Sequence, residues 1–126
     1  MTTGLTLDTG ALLAFERGDQ RVRALLRRAL EQGWELHVVA GVVAQTWQGG
    51  PRQARLARLL AATEVRVVAL DDLVARAVGV QCGRSGHAHI VDVHVALDAR
   101  EHGHAVVTSD PDDIARVDPS LTVITV

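Results

Sequence analysis

The sequence lacks lysine altogether, has a single cysteine, and carries only three aromatic residues in 126 positions. One cysteine, Cys82, excludes an intramolecular disulfide and points to a reducing compartment. The longest apolar run, VVAGVVA, falls far below the ~18 residues that span a bilayer, which excludes a membrane helix. The amino-terminal MTTGLTLD has neither the basic nor the apolar region of a signal peptide, so a soluble, cytoplasmic protein is expected. With few rings available, the core has to be aliphatic. No tight-hairpin signal, internal repeat or low-complexity tract interrupts the chain, and its length suits one domain spanning residues 1–126.

All thirteen basic residues are therefore Arg. A GC-rich genome accounts for that habit as well as function does, yet Arg also suits bidentate phosphate contacts. The net charge of −2 hides an asymmetry. Residues 1–63 hold eight Arg against five acids, +3, while residues 64–126 hold five Arg against ten acids, −5. That division fits an enzyme that grips a polyanion in one place and cations in another, and solvated helix faces give the same counts.

Apolar periodicity sorts the chain into alternating elements. LTL at 5–7 is a buried strand, followed from Thr9 by a short helix ending at Gly18. Asp19 caps a second helix, closed by Gly33, with Val22, Leu25, Leu26, Ala29 and Leu30 on one face. LHVVA at 36–40 is the second strand and VVAQTW a helix up to Gly49-Gly50. Pro51 opens the next helix, and EVRVVA at 64–69 reads as the third strand. Asp71 or Asp72 caps the helix LVARAVGVQC, GRSGHA is a loop, and IVDVHVALDAREHG is a helix closed by Gly103. HAVVTSD is a strand ending in acids, PDDIARV a short helix, and LTVITV the last strand. Strands separated by helices throughout predict an α/β fold with a parallel sheet covered on both faces.

The tetrapeptide DTGA at 8–11 also occurs in aspartic proteases. Those enzymes are nearly all β-structure, with the motif in a loop between paired strands. Here it opens a helix in a helix-rich chain, and the match is a coincidence.

Ligands of parallel α/β sheets bind beyond the carboxyl ends of the strands. Asp8 ends the first strand, and Asp110 ends the late one with Asp113 just beyond. Asp92 sits near the start of the helix feeding that late strand, on a face shared with Val95, Ala96 and Ala99. Each acid has an ordinary alternative: Asp8 as helix N-cap, Asp110 as a turn residue before Pro111, Asp92 as a complement to the helix dipole. Gathered together at about 5 Å, carboxylates repel by roughly 1–3 kcal/mol per pair, which a divalent cation relieves. Oxygen-only ligation favours Mg²⁺ or Mn²⁺ over Zn²⁺. Such an ion beside Arg suits phosphodiester hydrolysis.

Four segments, LDTGALLAFE, VVAQTWQGG, IVDVHVALDA and VVTSDPDDIARV, in this order and at these separations, resemble a PIN-domain ribonuclease. More narrowly, they are similar to the VapC-type toxins of bacterial type II toxin–antitoxin pairs, over essentially the whole chain. The resemblance implies a three-layer α/β/α sandwich with a central parallel sheet. It implies a Mg²⁺- or Mn²⁺-dependent endoribonuclease in which Asp8, Asp92 and Asp110 hold the ion. Asp113 matches a further catalytic acid, and Thr108 a hydroxyl residue two positions before Asp110. In-line attack of water would leave a 5′-phosphate. RNA as substrate, a small cognate antitoxin and a homodimer are the implied partners.

One departure stands out. The family's second acid, in the helix after the second strand, is usually Glu; here it is Gln45, a neutral ligand or a residue behind the ligands. That loss of charge supports an alternative, a weakly active or inactive PIN-fold module that binds RNA or protein. Arg21–Arg28 and Arg52–Arg58 are the expected phosphate contacts. His89, beside Asp92, either contacts a phosphate or tunes the metal site, or is an exposed loop-end residue. His37, His87, His94, His102 and His104 read as structural. Trp34 and Trp47 read as packing residues, with base stacking the competing role.

Overall fold

The computed structural model describes residues 2–126. Five strands and seven α-helices follow the expected order: β1 (Gly4–Leu7), α1 (Thr9–Glu16), α2 (Gln20–Glu31), β2 (Glu35–Val39), α3 (Ala40–Thr46), α4 (Ala54–Ala61), β3 (Val65–Val68), α5 (Asp72–Ser85), α6 (Ile90–His102), β4 (Ala105–Thr108), α7 (Pro111–Val117) and β5 (Val123–Thr125). All strand pairings are parallel, in the spatial order β3-β2-β1-β4-β5. The chain walks outward from β1 to β3, then returns across the sheet to β4. Because crossovers in parallel sheets are right-handed, that reversal moves the helices to the other face. Accordingly α1 packs on α2 and α4, while α5, α6 and α7 pack on one another. The result is the three-layer sandwich, with its switch point between β1 and β4.

The core is aliphatic, as the shortage of rings required. Leu5, Leu7, Leu36, Val38, Val39, Val106 and Val107 are fully buried strand residues, and Leu12, Val22 and Leu56 close over them from the helices. Trp34 packs against this core from its edge. Strands β1 and β4 are buried at every position, as strands covered on both faces are, with Thr6 and Thr108 their polar members. Among the described residues, no helix is long and apolar enough to cross a membrane.

Several boundaries differ from the sequence expectation for local reasons. Ala40, expected to end the second strand, is the first residue of α3. Pro51 opens a 3-10 turn, Pro51–Gln53, before α4 begins. The buried Gln53 side chain organises that junction by accepting from the Gln48 and Gly49 amides and donating to the Thr46 carbonyl. The expected loop from Gly83 is helical as far as Ser85, because only Gly86 adopts the left-handed conformation (φ +70°) that ends a helix.

The two candidates for the α5 cap are also resolved. Asp71 accepts from the Val74 amide at 2.9 Å, while Asp72 pairs with Arg76 on the exposed face at 3.1 Å. Asp71→Ala is therefore expected to cost about 1 kcal/mol, a fall of some 2–4 °C in melting temperature. Asp72→Ala should cost less than half as much. Parallel thermal melts of the two variants check the order.

Candidate active site

The adjacency of β1 and β4 decides where the acids fall. Leu7 pairs with Val107, and the Asp8 amide donates to the Val107 carbonyl at 2.9 Å, so the two strands end side by side. Gly10 makes that close approach possible, since a Cβ there would collide with the Ser109 side chain. The chain leaving β4 consequently runs against the first turn of α1. Open α/β sheets bind ligands at such a switch point.

Asp8 is buried, with 5% of its surface exposed. Its Oδ1 accepts from the Thr9 amide at 2.8 Å, and its Oδ2 from the Thr108 hydroxyl at 2.7 Å. The helix-cap role and the carboxyl-edge position thus coexist in one residue. Burial pushes its carboxyl above the ordinary value, the Thr108 and Thr9 hydrogen bonds oppose that shift, and the charges of Asp92 and Asp110 add to it. Thr108, itself fully buried, also accepts from the Asp110 amide at 2.9 Å. One hydroxyl therefore joins the first acid to the backbone of the last.

Asp92 arrives in the first turn of α6 with 13% of its side chain exposed. His87 Nε2 lies 2.9 Å from its Oδ2. His89 is the N-cap of α6, its Nδ1 accepting from the Asp92 amide at 3.4 Å, with its side chain 53% exposed. Asp113, on α7, completes a group in which one ligand atom each of His87, Asp92 and Asp113 all lie within 4.8 Å. Asp110 is exposed at the start of α7, where Ser109, Asp110, Asp113 and Arg116 line a groove of about 280 Å³.

The charges of Asp92 and Asp110 are felt at Asp8, yet among the described residues the close group at this edge is His87, Asp92 and Asp113, without Asp8 or Asp110, and it adds His87 to the expected residues. From the sequence that residue was structural, because a loop residue has no periodicity to place it. Gln45 lies on the exposed face at the end of α3, its Oε1 taking a hydrogen bond from the Thr9 hydroxyl. It reaches Asp8 only through Thr9.

Among the expected phosphate contacts, Arg55 is diverted: its guanidinium donates to the Glu16 carbonyl at 3.2 Å and closes the end of α1. Arg23 and Arg27 line an open groove of about 310 Å³ along α2. Trp47 is 43% exposed.

The donor set fits a hard divalent cation. Its charges are carboxylates, its buried member is held above its ordinary value by burial and by its like-charged neighbours, and oxygen donors are what Mg²⁺ and Mn²⁺ take.

A five-stranded 3-2-1-4-5 parallel sheet in a three-layer sandwich, with acids at its switch point, is the PIN-type fold. Two solved structures share it over nearly their whole length. FitAB bound to an IR36 DNA fragment superposes with a TM-score of 0.65 at 20% identity, covering 96% of this chain and 94% of that one. FitAcB from Neisseria gonorrhoeae superposes with a TM-score of 0.62 at 21% identity, covering 96% of each chain. Neither a family profile nor a curated protein matches the sequence.

Proposed function

We propose that this chain is a Mg²⁺- or Mn²⁺-dependent endoribonuclease and the toxin of a toxin–antitoxin pair. The observation that carries the reading is the buried Asp8 carboxylate at the β1–β4 switch point of a PIN-type sheet, tied through the Thr108 hydroxyl to the Asp110 backbone. Its further support is the likeness to FitAB and FitAcB and the resemblance of four segments to VapC-type toxins.

In this reading Asp8, Asp92 and Asp110 hold the ion, and Asp113 and His87 stand beside it. The ion supplies charge neutralisation at phosphorus and a lowered pKa for water. Thr108 keeps Asp8 oriented and ties Asp110 to it. Exposed Arg side chains on α2, Arg23 and Arg27 foremost, hold RNA phosphates. A small antitoxin covers the site, and two copies of the chain form the dimer.

Cleavage of single-stranded RNA should require Mg²⁺ or Mn²⁺ and stop on chelation. Cleavage that persists in excess EDTA would reject the metal mechanism.

Gln45 favours a second reading, a non-cleaving module that binds RNA or protein, since the amide adds no charge. Gln45→Glu adds one anion near Thr9 and should tighten Mn²⁺ binding by at least about tenfold, the value for one extra charge roughly 5 Å from a divalent ion in a water-like dielectric. Calorimetry on both forms separates the readings. If the natural protein binds no Mn²⁺ at millimolar concentration while Gln45→Glu does, the module reading prevails.

A further inference from the structure

A second group of ionisable side chains gathers away from the acids, toward the amino ends of the strands. His37 of β2 is fully buried, as is Asp98 of α6 apart from 2% of its side chain, and His102 one helical turn further on is 32% exposed. His37 Nδ1 stands 2.9 Å from Asp98 Oδ2, and His102 Nδ1 stands 3.2 Å from Asp98 Oδ1. One ligand atom from each of the three lies within 4.8 Å of the other two. The ring of His104 packs 4.4 Å from that of His37. Three imidazoles are an expensive occupant for an aliphatic interior that cavity-filling alone would furnish with Leu or Val.

We propose that His37, Asp98 and His102 form a second metal site, for a transition metal of the Zn²⁺ class, separate from the carboxylate site. Two imidazole nitrogens and one carboxylate are the donor types of that class rather than of Mg²⁺. Tetrahedral donors about 2.0–2.1 Å from Zn²⁺ lie roughly 3.3 Å from one another; the two rings meet different oxygens of Asp98, and His102 Nδ1 would have to leave the Asp98 backbone carbonyl, 2.9 Å away, to join them around one ion. The surroundings also have the form that ligands require. His37 presents Nδ1 to the group while its Nε2 lies 3.0 Å from Glu35 Oε1, the carboxylate–histidine arrangement that fixes a ligating ring. The Thr6 hydroxyl donates to Asp98 Oδ2 at 3.0 Å and holds that carboxylate in place.

An open groove of about 340 Å³, lined by Leu73, His94, Leu97, Asp98 and His102 among others, gives access from solvent. A metal here would clamp β2 to the carboxyl half of α6.

Co²⁺ titration of the full chain carrying Asp8→Asn and Asp92→Asn tests the site with the acidic one silenced. The expected result is one equivalent of Co²⁺ with the intense visible absorption of tetrahedral nitrogen and oxygen ligation, displaced by Zn²⁺. His102→Ala in the same background should abolish the band. Glu35→Gln, at a half-exposed position, should weaken binding about 10–100-fold. Absence of the band, or a band indifferent to both substitutions, would overturn the proposal and leave a closed hydrogen-bond network.

Discussion

Asp8→Asn is expected to lower metal-dependent RNA cleavage by about a thousandfold while making the metal-free protein more stable. The two effects share one cause. Asp8 is buried and its carboxyl is raised by that burial and by Asp92 and Asp110, so its ionised form is a liability in the absence of a cation. Because the folded value lies above the unfolded one, the folded state binds the proton more tightly. The sequence of events with pH follows: no penalty below the unfolded value near 3.8, a growing loss of stability as pH rises through the raised value, and the full loss above it. The substituted amide keeps an acceptor for Thr9 or Thr108 and removes the charge, so at neutral pH the melting temperature should rise by about 2–4 °C, equivalent to roughly 1 kcal/mol. The cost, under the proposed function, is a metal ligand. Losing charge stabilisation worth about 4 kcal/mol at the reacting phosphate corresponds to the thousandfold drop. Melts with and without Mg²⁺, beside cleavage assays, check both halves. Equal cleavage by the two proteins would reject the assignment, and a variant less stable at pH 7 but not at pH 3 would contradict the electrostatic account.

Thr108→Val carries the second-largest expectation, and there stability and activity fall together. The substitution keeps shape and removes a hydroxyl that donates to Asp8 at 2.7 Å and accepts from the Asp110 amide at 2.9 Å. Both partners are left short at a fully buried position. A charge-assisted bond contributes about 1.5–3 kcal/mol, and an unsatisfied amide adds a penalty of about 1 kcal/mol or more. A loss of about 3 kcal/mol is therefore expected at pH 7. It should shrink on acidification, since the bond to Asp8 is one of the influences that hold its carboxyl down. Cleavage should fall by about 10–100-fold as Asp8 loses its orientation. Thr108→Ser retains the hydroxyl and should recover most of both losses. Urea titrations at pH 7 and pH 4 measure the difference.

How much of this was legible beforehand depends on the range of each interaction. Asp8 and Asp110 could be set at strand ends because strand, acid and helix follow one another within a few residues. The order of elements was readable for the same reason. That β1 lies against β4 was not, since the pairing joins residues a hundred positions apart; it could be stated only as a condition. His87 escaped because nothing in the sequence around a loop says which helix it faces. Arg55 has the composition of a phosphate contact and the geometry of a helix stop, and only the nearby Glu16 carbonyl distinguishes them. Asp98 and His102 do show a one-turn spacing in the sequence, yet the third member, His37, comes from another strand. The end of α5 was misjudged through a local ambiguity: Gly83 and Gly86 are equal candidates in sequence, and the backbone uses the second.

The pairing of β1 with β4 also governs when the molecule becomes competent. The central strand β1 is made early, whereas β4 follows 100 residues later, the separation between Asp8 and Thr108. Long-range parallel pairing of this kind is slow, and translation at about 5–20 residues per second leaves β1 waiting several seconds for its neighbour. A nascent chain that lacks β4 cannot bring Asp8 and Thr108 together.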